Sequence, residues 1–141
     1  MVGGQVLDMA GEGRSLTAEE LGELYGLKTG ALITAAAEMG CILAGGDGET
    51  RRAVRLYAQK IGLAFQIRDD ILDVLGEEEA LGKQTGSDVR KDKSTYVTQF
   101  GPEAAAQLVE TLTREALLAL EPYPAAGFHR DLAEALAARS H

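Results

Sequence analysis

The sequence predicts an all-α protein made of one helical domain. Its 141 residues suit a single domain with a substantial core, since 45% of them are hydrophobic. Alanine, leucine and glutamate dominate, and these residues are good helix formers, whereas aromatic residues make up only 5%. The chain holds no run of alternating valine, isoleucine and threonine that would predict a sheet.

Charge and composition narrow the classes of partner and compartment. The net charge of −8 disfavours nucleic acid, because a phosphate backbone needs a basic surface. Cys41 is the only cysteine, so no internal disulfide can form, and the cytoplasm is the expected compartment. The first residues lack the basic region and apolar core of a signal peptide. The most apolar stretch, Ala31 to Ala44, is too short to span a membrane and contains Glu38, so no membrane contact is expected.

Turn and capping residues locate the first two helices. Residues 1–9 have the character of the end of a helix, and the glycines at 11 and 13 predict the turn after it. Thr17 is placed to cap the next helix, and Glu20, three residues later, would close a capping box. This helix should run to about Ala44, with a kink near Gly26 or Gly30, because glycines interrupt it there.

A long central helix and three shorter ones account for the rest of the chain. Asp47 is the predicted cap of the central helix, which should run from about Glu49 to Leu75 and end at Gly76. The remaining predicted elements are a polar loop over about 77–92, a short helix over 94–100, a helix that Pro102 opens and that ends before Pro122, and a last helix over 128–139.

One polar stripe runs along the otherwise apolar central helix. A helix with such apolar faces is normally buried, so its stripe must face water, a cavity or a ligand. At 100° per residue, the residues that fall within an arc of about 100° are Gln59, Gly62, Gln66, Asp69, Asp70 and Asp73.

The three aspartates of the stripe need a positive partner. Like charges three or four residues apart on a helix repel each other by roughly 0.2–0.5 kcal/mol per exposed pair. Arg68 points to the opposite side of the helix, so it cannot offset this repulsion directly. A divalent cation would do so, and Mg²⁺ prefers carboxylate oxygens. A solvated acidic helix end remains the alternative.

Lysines near glycines lie on either side of the central helix in the sequence. Lys28 precedes Thr29 and Gly30 within the second helix, where a surface lysine is the simplest interpretation. The loop over 82–88 contains Lys83 between flexible glycines, and more basic residues follow it. The loop lacks the glycine and hydroxyl positions of a Walker A motif. An acidic helix followed by a basic glycine-containing loop is the order that a metal-bridged diphosphate site requires.

Four segments of the sequence resemble motifs of one family. Phe65–Asp73 resembles the second aspartate-rich motif of the trans-isoprenyl diphosphate synthases of the farnesyl and geranylgeranyl type. Gly82–Asp88 and Lys93–Tyr96 resemble the segment that follows this motif in the family. Lys28–Leu32 resembles the family's Lys-Thr motif, and Gly3–Asp8 resembles the motif before it. The four motifs occur in the family's order and cover nearly the whole chain.

The resemblance implies a fold, a cofactor and a set of residue roles. The fold would be the C-terminal part of the isoprenoid synthase helical bundle, where two aspartate-rich motifs on facing helices hold Mg²⁺ around an allylic diphosphate. The second substrate would be isopentenyl diphosphate, and a homo-oligomer would be expected. The implied roles are metal ligands at Asp69, Asp70 and Asp73, substrate contacts at Lys28, Lys83, Lys93 and Gln5, and catalytic groups at Lys28, Thr29 and Gln66.

One departure from the family bears on activity. The family's first aspartate-rich motif lies upstream of the Gly-Gln motif with which this sequence starts. We therefore expect residues 1–141 to form one helical domain, the C-terminal part of a longer synthase, and to be inactive alone. Two alternatives stay open: a non-catalytic subunit that pairs with a chain supplying the first motif, and a helical interaction module whose acidic stripe is merely solvated.

Overall fold

A computed structural model describes residues 1–81 and 94–139, with the backbone alone for residues 77–81. Every regular element in these ranges is a helix, which confirms the predicted fold class. In chain order the elements are α1 (Val2–Ala10), α2 (Ala18–Tyr25), a π-helical segment (Gly26–Gly30), α3 (Ala31–Leu43), α4 (Gly48–Leu81), α5 (Tyr96–Phe100), α6 (Pro102–Ala119) and α7 (Gly127–Ala138).

The long helix α4 lies at the centre of the bundle. It packs against α6 on one side and against α3 and the π-helical segment on another, and it also contacts α2, α5 and α7. Two buried apolar clusters surround it. The first cluster includes Leu21, Leu24, Ile67, Ile71, Val97, Val109 and Leu112, and the second includes Tyr57, Ala58, Ile61, Ala116, Leu120 and Ala133.

The predicted helix caps are present. Thr17 and Glu20 form the capping box, in which the Thr17 hydroxyl accepts from the Glu20 N–H at 3.2 Å and the Glu20 carboxylate accepts from the Thr17 N–H at 2.8 Å. Asp47 accepts a hydrogen bond from the Thr50 N–H at 2.8 Å at the start of α4. These backbone N–H groups lower the pKa values of the Glu20 and Asp47 carboxyls, because they stabilise the charged form.

Two details of the helices differ from the sequence expectation. The helix α4 continues past Gly76 to Leu81, so the predicted end was wrong. A single glycine costs a helix only about 1 kcal/mol, and the glutamates and alanine that follow are good helix formers. The apolar faces of α4 are also not wholly buried, since Leu56 is 43% exposed and Leu75 is 52% exposed. The kink expected near Gly26 or Gly30 takes the form of the π-helical segment.

An apolar surface lies exposed on α1, the π-helical segment and α3. It comprises Val2, Val6, Met9, Leu27, Leu32, Met39, Ile42 and Leu43. Within the described ranges, one continuous helical stretch, Ala18–Leu43, is long and apolar enough to cross a membrane by length and composition. The sequence expectation had judged the apolar stretch too short, because it counted only part of this stretch. The most apolar window of this stretch is only 6% buried within the described chain, although α3 packs on α4.

Candidate functional site

The π-helical segment Gly26–Gly30 brings the Lys-Thr pair close to α4. Gly30 is buried against Gly62 of α4, and a Cβ atom added at Gly62 would lie 3.0 Å from the Gly30 Cα. The two backbones can approach this closely because neither residue has a side chain. Single π-helical turns occur frequently at functional sites, and this one carries Lys28 and Thr29.

Lys28 forms an ion pair with Asp8 of α1, with 2.5 Å between Nζ and the carboxylate oxygen. The pair is partly buried, since the two side chains are 30% and 18% exposed. Gly4 makes this approach of α1 possible, because a Cβ atom there would lie 2.3 Å from the Lys28 backbone nitrogen. An ammonium group has three donors, so Lys28 retains capacity for a further acceptor. Gln5, which follows Gly4, lies exposed on α1.

Thr29 and Gln66 are hydrogen-bonded across the junction of the π-helical segment and α4. The Thr29 hydroxyl donates to the Gln66 amide oxygen at 2.8 Å. The Gln66 amide nitrogen donates in turn to Asp70 at 3.4 Å, one helical turn further along α4. Two residues of the predicted stripe, Gln66 and Asp70, are therefore bonded to each other. The side-chain amide of Gln66 is oriented by Thr29 on one side and by Asp70 on the other.

Asp69 forms an ion pair with Arg139, which directly follows α7. Two further contacts hold Arg139 against α4: its carbonyl accepts from Arg68 Nε at 2.7 Å, and its guanidinium lies 4.9 Å from the centroid of the Phe65 ring. Arg139 thus supplies a positive charge beside the aspartates. This partner was not predicted from the sequence, where Arg68 was the basic residue next to the aspartates.

Asp70 is a buried carboxylate, 8% exposed, that accepts a 2.5 Å hydrogen bond from the Tyr25 hydroxyl. Burial, together with the nearby charge of Asp70, raises the pKa of Tyr25 far above its ordinary value. Tyr25 therefore stays protonated and remains a donor. The Tyr25 oxygen also accepts from the Tyr96 N–H at 3.3 Å.

The three aspartates share one stripe of α4 but differ in their surroundings. Asp69 is ion-paired, Asp70 is buried, and Asp73 is exposed. In the part of the chain that the structure describes, no three His, Cys, Asp or Glu side chains form a group that could hold a metal ion alone. A metal ion at this end of α4 would need further oxygen ligands, as Mg²⁺ commonly obtains from water and substrate phosphates.

An open groove of about 540 Å³ lies between α4 and the continuous helical stretch formed by α2, the π-helical segment and α3. Its walls are built largely of small or apolar residues of the π-helical segment and α3, and it passes Gly30, which follows Thr29 in the chain. Glu38 and Arg55 also line it and form an ion pair at 2.8 Å across it. Polar groups near Thr29 thus adjoin a mostly apolar groove.

Residues 1–118 match the family model described as polyprenyl synthetase. The chain belongs to the polyprenyl synthetase family. The match includes α1 to α5 and nearly all of α6, so it contains each motif on which the sequence resemblance rests.

Curated relatives and solved structures of the family agree with this assignment. The chain is 44% identical over 117 residues to a geranylgeranyl diphosphate synthase of Cyanophora paradoxa, covering 82% of this chain and 39% of the relative. It is 41% identical to the farnesyl diphosphate synthase of Escherichia coli, covering 97% and 46%. A geranyltransferase of Helicobacter pylori, solved in complex with magnesium and isoprenyl diphosphate, matches with a TM-score of 0.76 at 36% identity, covering 96% and 45%. The chain spans about half the length of the relatives it matches.

The structure describes some of the predicted site residues of this polyprenyl synthetase family member and adds two neighbours that were not predicted. The structure joins Thr29, Gln66 and Asp70 by hydrogen bonds, whereas Lys28, on the same π-helical segment as Thr29, pairs with Asp8 of α1. Lys83 and Lys93 lie outside the described residues, so their roles stay predictions. Sequence reasoning missed Tyr25 and Arg139. Neither residue belongs to a quoted motif, and Arg139 is 70 positions from its partner Asp69.

Proposed function

We propose that this chain carries one half of the magnesium-diphosphate site of a prenyl diphosphate synthase. The reaction would extend an allylic diphosphate with isopentenyl diphosphate. The observation that carries the proposal is the placement of Lys28 and Thr29 beside the polar stripe of α4, with Thr29 bonded to Gln66. Relatives named as farnesyl and geranylgeranyl diphosphate synthases support the substrate class.

In this reaction the bond between the first allylic carbon and the diphosphate oxygen breaks, and its electron pair leaves with the diphosphate. Lys28 would donate hydrogen bonds to the leaving diphosphate while one of its N–H groups still donates to Asp8. The Thr29 proton is already directed to Gln66, so lone pairs of the Thr29 oxygen remain to face the developing cation. The isopentenyl double bond then forms the new carbon–carbon bond, and a proton leaves the adjacent carbon.

We propose Mg²⁺ as the cofactor, with Asp69, Asp70 and Asp73 supplying its negative surroundings. The donor set fits, because Mg²⁺ binds carboxylate oxygens and leaves room for phosphate oxygens. The guanidinium of Arg139 lies against Asp69, and this pairing with a cation supports the proposal. Bound magnesium would stabilise the negative charge on the diphosphate. The magnesium in the Helicobacter pylori relative supports this assignment.

The groove beside Thr29 is our proposed site for the apolar chain of the substrate. It passes the proposed reacting end, and small residues such as Gly26 and Ala31 leave it open. The helix rises about 1.5 Å per residue, so the part of the groove between Gly30 and Glu38 is roughly 12 Å long. A chain of several isoprene carbons fits that length.

We further propose that condensation needs a second aspartate-rich helix, since this sequence holds one such motif and the resemblance implies two. The chain alone would then be inactive, as the C-terminal domain of a longer synthase or as a partner subunit. The exposed apolar surface of α1, the π-helical segment and α3 supports contact with further helices, including those of a second copy. We propose the cytoplasm as the protein's compartment, as the single cysteine favours.

Calorimetric titration with magnesium pyrophosphate tests the site. Asp69→Asn should weaken binding on the order of tenfold or more, by analogy with groups that support metal sites. Arg139→Gln should instead tighten the binding of Mg²⁺ alone, because it removes the cation that competes for Asp69. Asp131→Asn, the same chemical change at an exposed position of α7, is the matched control and should leave both affinities unchanged.

Two results would contradict the proposal. One is a chain that binds no magnesium pyrophosphate at all. The other is an Asp131→Asn variant that loses as much affinity as Asp69→Asn, which would reveal a diffuse effect of negative charge and no defined site.

A further inference from the structure

We propose that Tyr25 is a positioning residue whose hydroxyl clamps Asp70 of α4 to the start of α5. This inference deepens the proposed function, because it assigns a holder to the aspartate-rich end of α4. Tyr25 is the last residue of α2, directly before the π-helical segment that carries Lys28. The side chain of this one residue is bonded to two further elements, α4 and α5.

The bonding of Tyr25 is directional and buried. Its hydroxyl donates to Asp70 at 2.5 Å and accepts from the Tyr96 N–H at 3.3 Å. Tyr25 is 4% exposed and Asp70 is 8% exposed. A carboxylate removed from water to this extent is costly unless it is hydrogen-bonded, so the Tyr25 bond contributes to holding Asp70 in place.

The same clamp holds the start of α5 against α2. Tyr96 is the first residue of α5, and its N–H would otherwise lack an intrahelical acceptor. The Tyr25 oxygen supplies that acceptor, and the two tyrosine rings lie 6.5 Å apart. Ser94 makes a second tie, since its hydroxyl oxygen accepts from the Leu16 N–H at 3.0 Å. The start of α5 is thus anchored to α2 and, through Tyr25, to Asp70.

The hydrogen bonds of the clamp also continue from Asp70 to Gln66 and Thr29. Asp70 accepts from Gln66 on its other oxygen, and Gln66 accepts from Thr29. A continuous series of hydrogen bonds therefore joins the Tyr96 N–H to the Thr29 hydroxyl. Loss of the Tyr25 hydroxyl should loosen both ends of this series, and with them the orientation of Gln66.

Tyr25→Phe, which keeps the ring and deletes the hydroxyl, tests the clamp against Tyr96→Phe, the same deletion on the neighbouring ring. Tyr25→Phe should lower Tm by roughly 5–10 °C, since a hydrogen bond to a buried charge is lost. Amide exchange at Tyr96, followed by NMR, should become about fivefold faster or more. Affinity for magnesium pyrophosphate should fall several-fold, although no proposed ligand has been changed. Tyr96→Phe should show much smaller effects on all three.

A double-mutant cycle with Asp70→Ala provides the second control. If Tyr25 and Asp70 act together, the drop in Tm of the double variant will be clearly smaller than the sum of the two single drops. Additive drops, or unchanged exchange at Tyr96 in Tyr25→Phe, would overturn the clamp. Normal affinity in Tyr25→Phe would overturn its positioning role. A wild-type chain that binds no magnesium pyrophosphate would refute the proposed function, whereas exchange and the cycle would still decide the clamp.

Discussion

Replacing Gly4 by alanine should push α1 away from the π-helical segment. The added Cβ would lie 2.3 Å from the Lys28 nitrogen and 2.5 Å from its Cα, whereas ordinary contacts begin near 3.4 Å. Both opposing atoms belong to the backbone, so one element must shift by about 1 Å, and the 2.5 Å pair between Asp8 and Lys28 will be disturbed. Such overpacking typically costs about 1–3 kcal/mol. The better helix propensity of alanine offsets up to about 1 kcal/mol of that cost.

Gly3→Ala is the matched control on the same helix. Its Cβ would meet nothing closer than the Leu27 side chain at 3.9 Å, so this variant should gain up to about 1 kcal/mol from helix propensity. The free energies of unfolding of the two variants should therefore differ by about 1–3 kcal/mol, with Gly4→Ala the less stable. Urea unfolding followed by circular dichroism measures this difference. Equal unfolding midpoints would refute the close approach of α1 to Lys28.

Two more predictions concern the caps and the exposed surface. The folded-state pKa values of Glu20 and Asp47 lie below their ordinary values of 4.5 and 3.8, so the stability they contribute is present above those values and is lost as the pH falls through the lower, folded pKa. Urea midpoints should decrease over this acid range, and Asp47→Ser, a cap that does not titrate, should reduce the decrease. The chain should also self-associate in sedimentation velocity, and Leu43→Gln, at an 88% exposed position, should weaken this association; a compact monomer at high concentration would count against it.

Local signals predicted the elements that depend on local physics. The capping box at Thr17 and Glu20, the cap at Asp47 and the start of α6 at Pro102 each depend on contacts within four residues. The break after Tyr25 was also foreseeable, because glycines at both ends of the π-helical segment weaken the regular helix. The end of α4 was predicted wrongly, because Gly76 was given more weight than the helix-forming residues that follow it.

The sequence predicted which residues share the polar stripe of α4, but it did not predict their hydrogen-bond and ion-pair partners. Helical angles placed Gln66 and the aspartates of α4 on one stripe, but they could not show which aspartate turns toward a neighbouring helix. Asp70 does so, and its donor Tyr25 is 45 residues away in the sequence. Arg139 pairs with Asp69 from still further along the chain. Pairings of this kind depend on how α2 and α7 pack, and no local pattern records that.

These long-range bonds define how a ligand would enter the half-site. Asp69 is bonded to Arg139, so a bridging metal ion would have to compete with a partner that is already in place. The binding free energy is then only the difference between the new interactions and those that are lost, so we expect weak binding by the chain alone. Asp69 and Arg139 are each about one-third exposed, so this pair can open at modest cost, whereas the Tyr25–Asp70 bond is buried and should persist. The structure therefore separates a partly exposed pair, Asp69 and Arg139, at which we expect a metal ion to enter, from the buried pair of Tyr25 and Asp70, which we expect to keep the end of α4 in position.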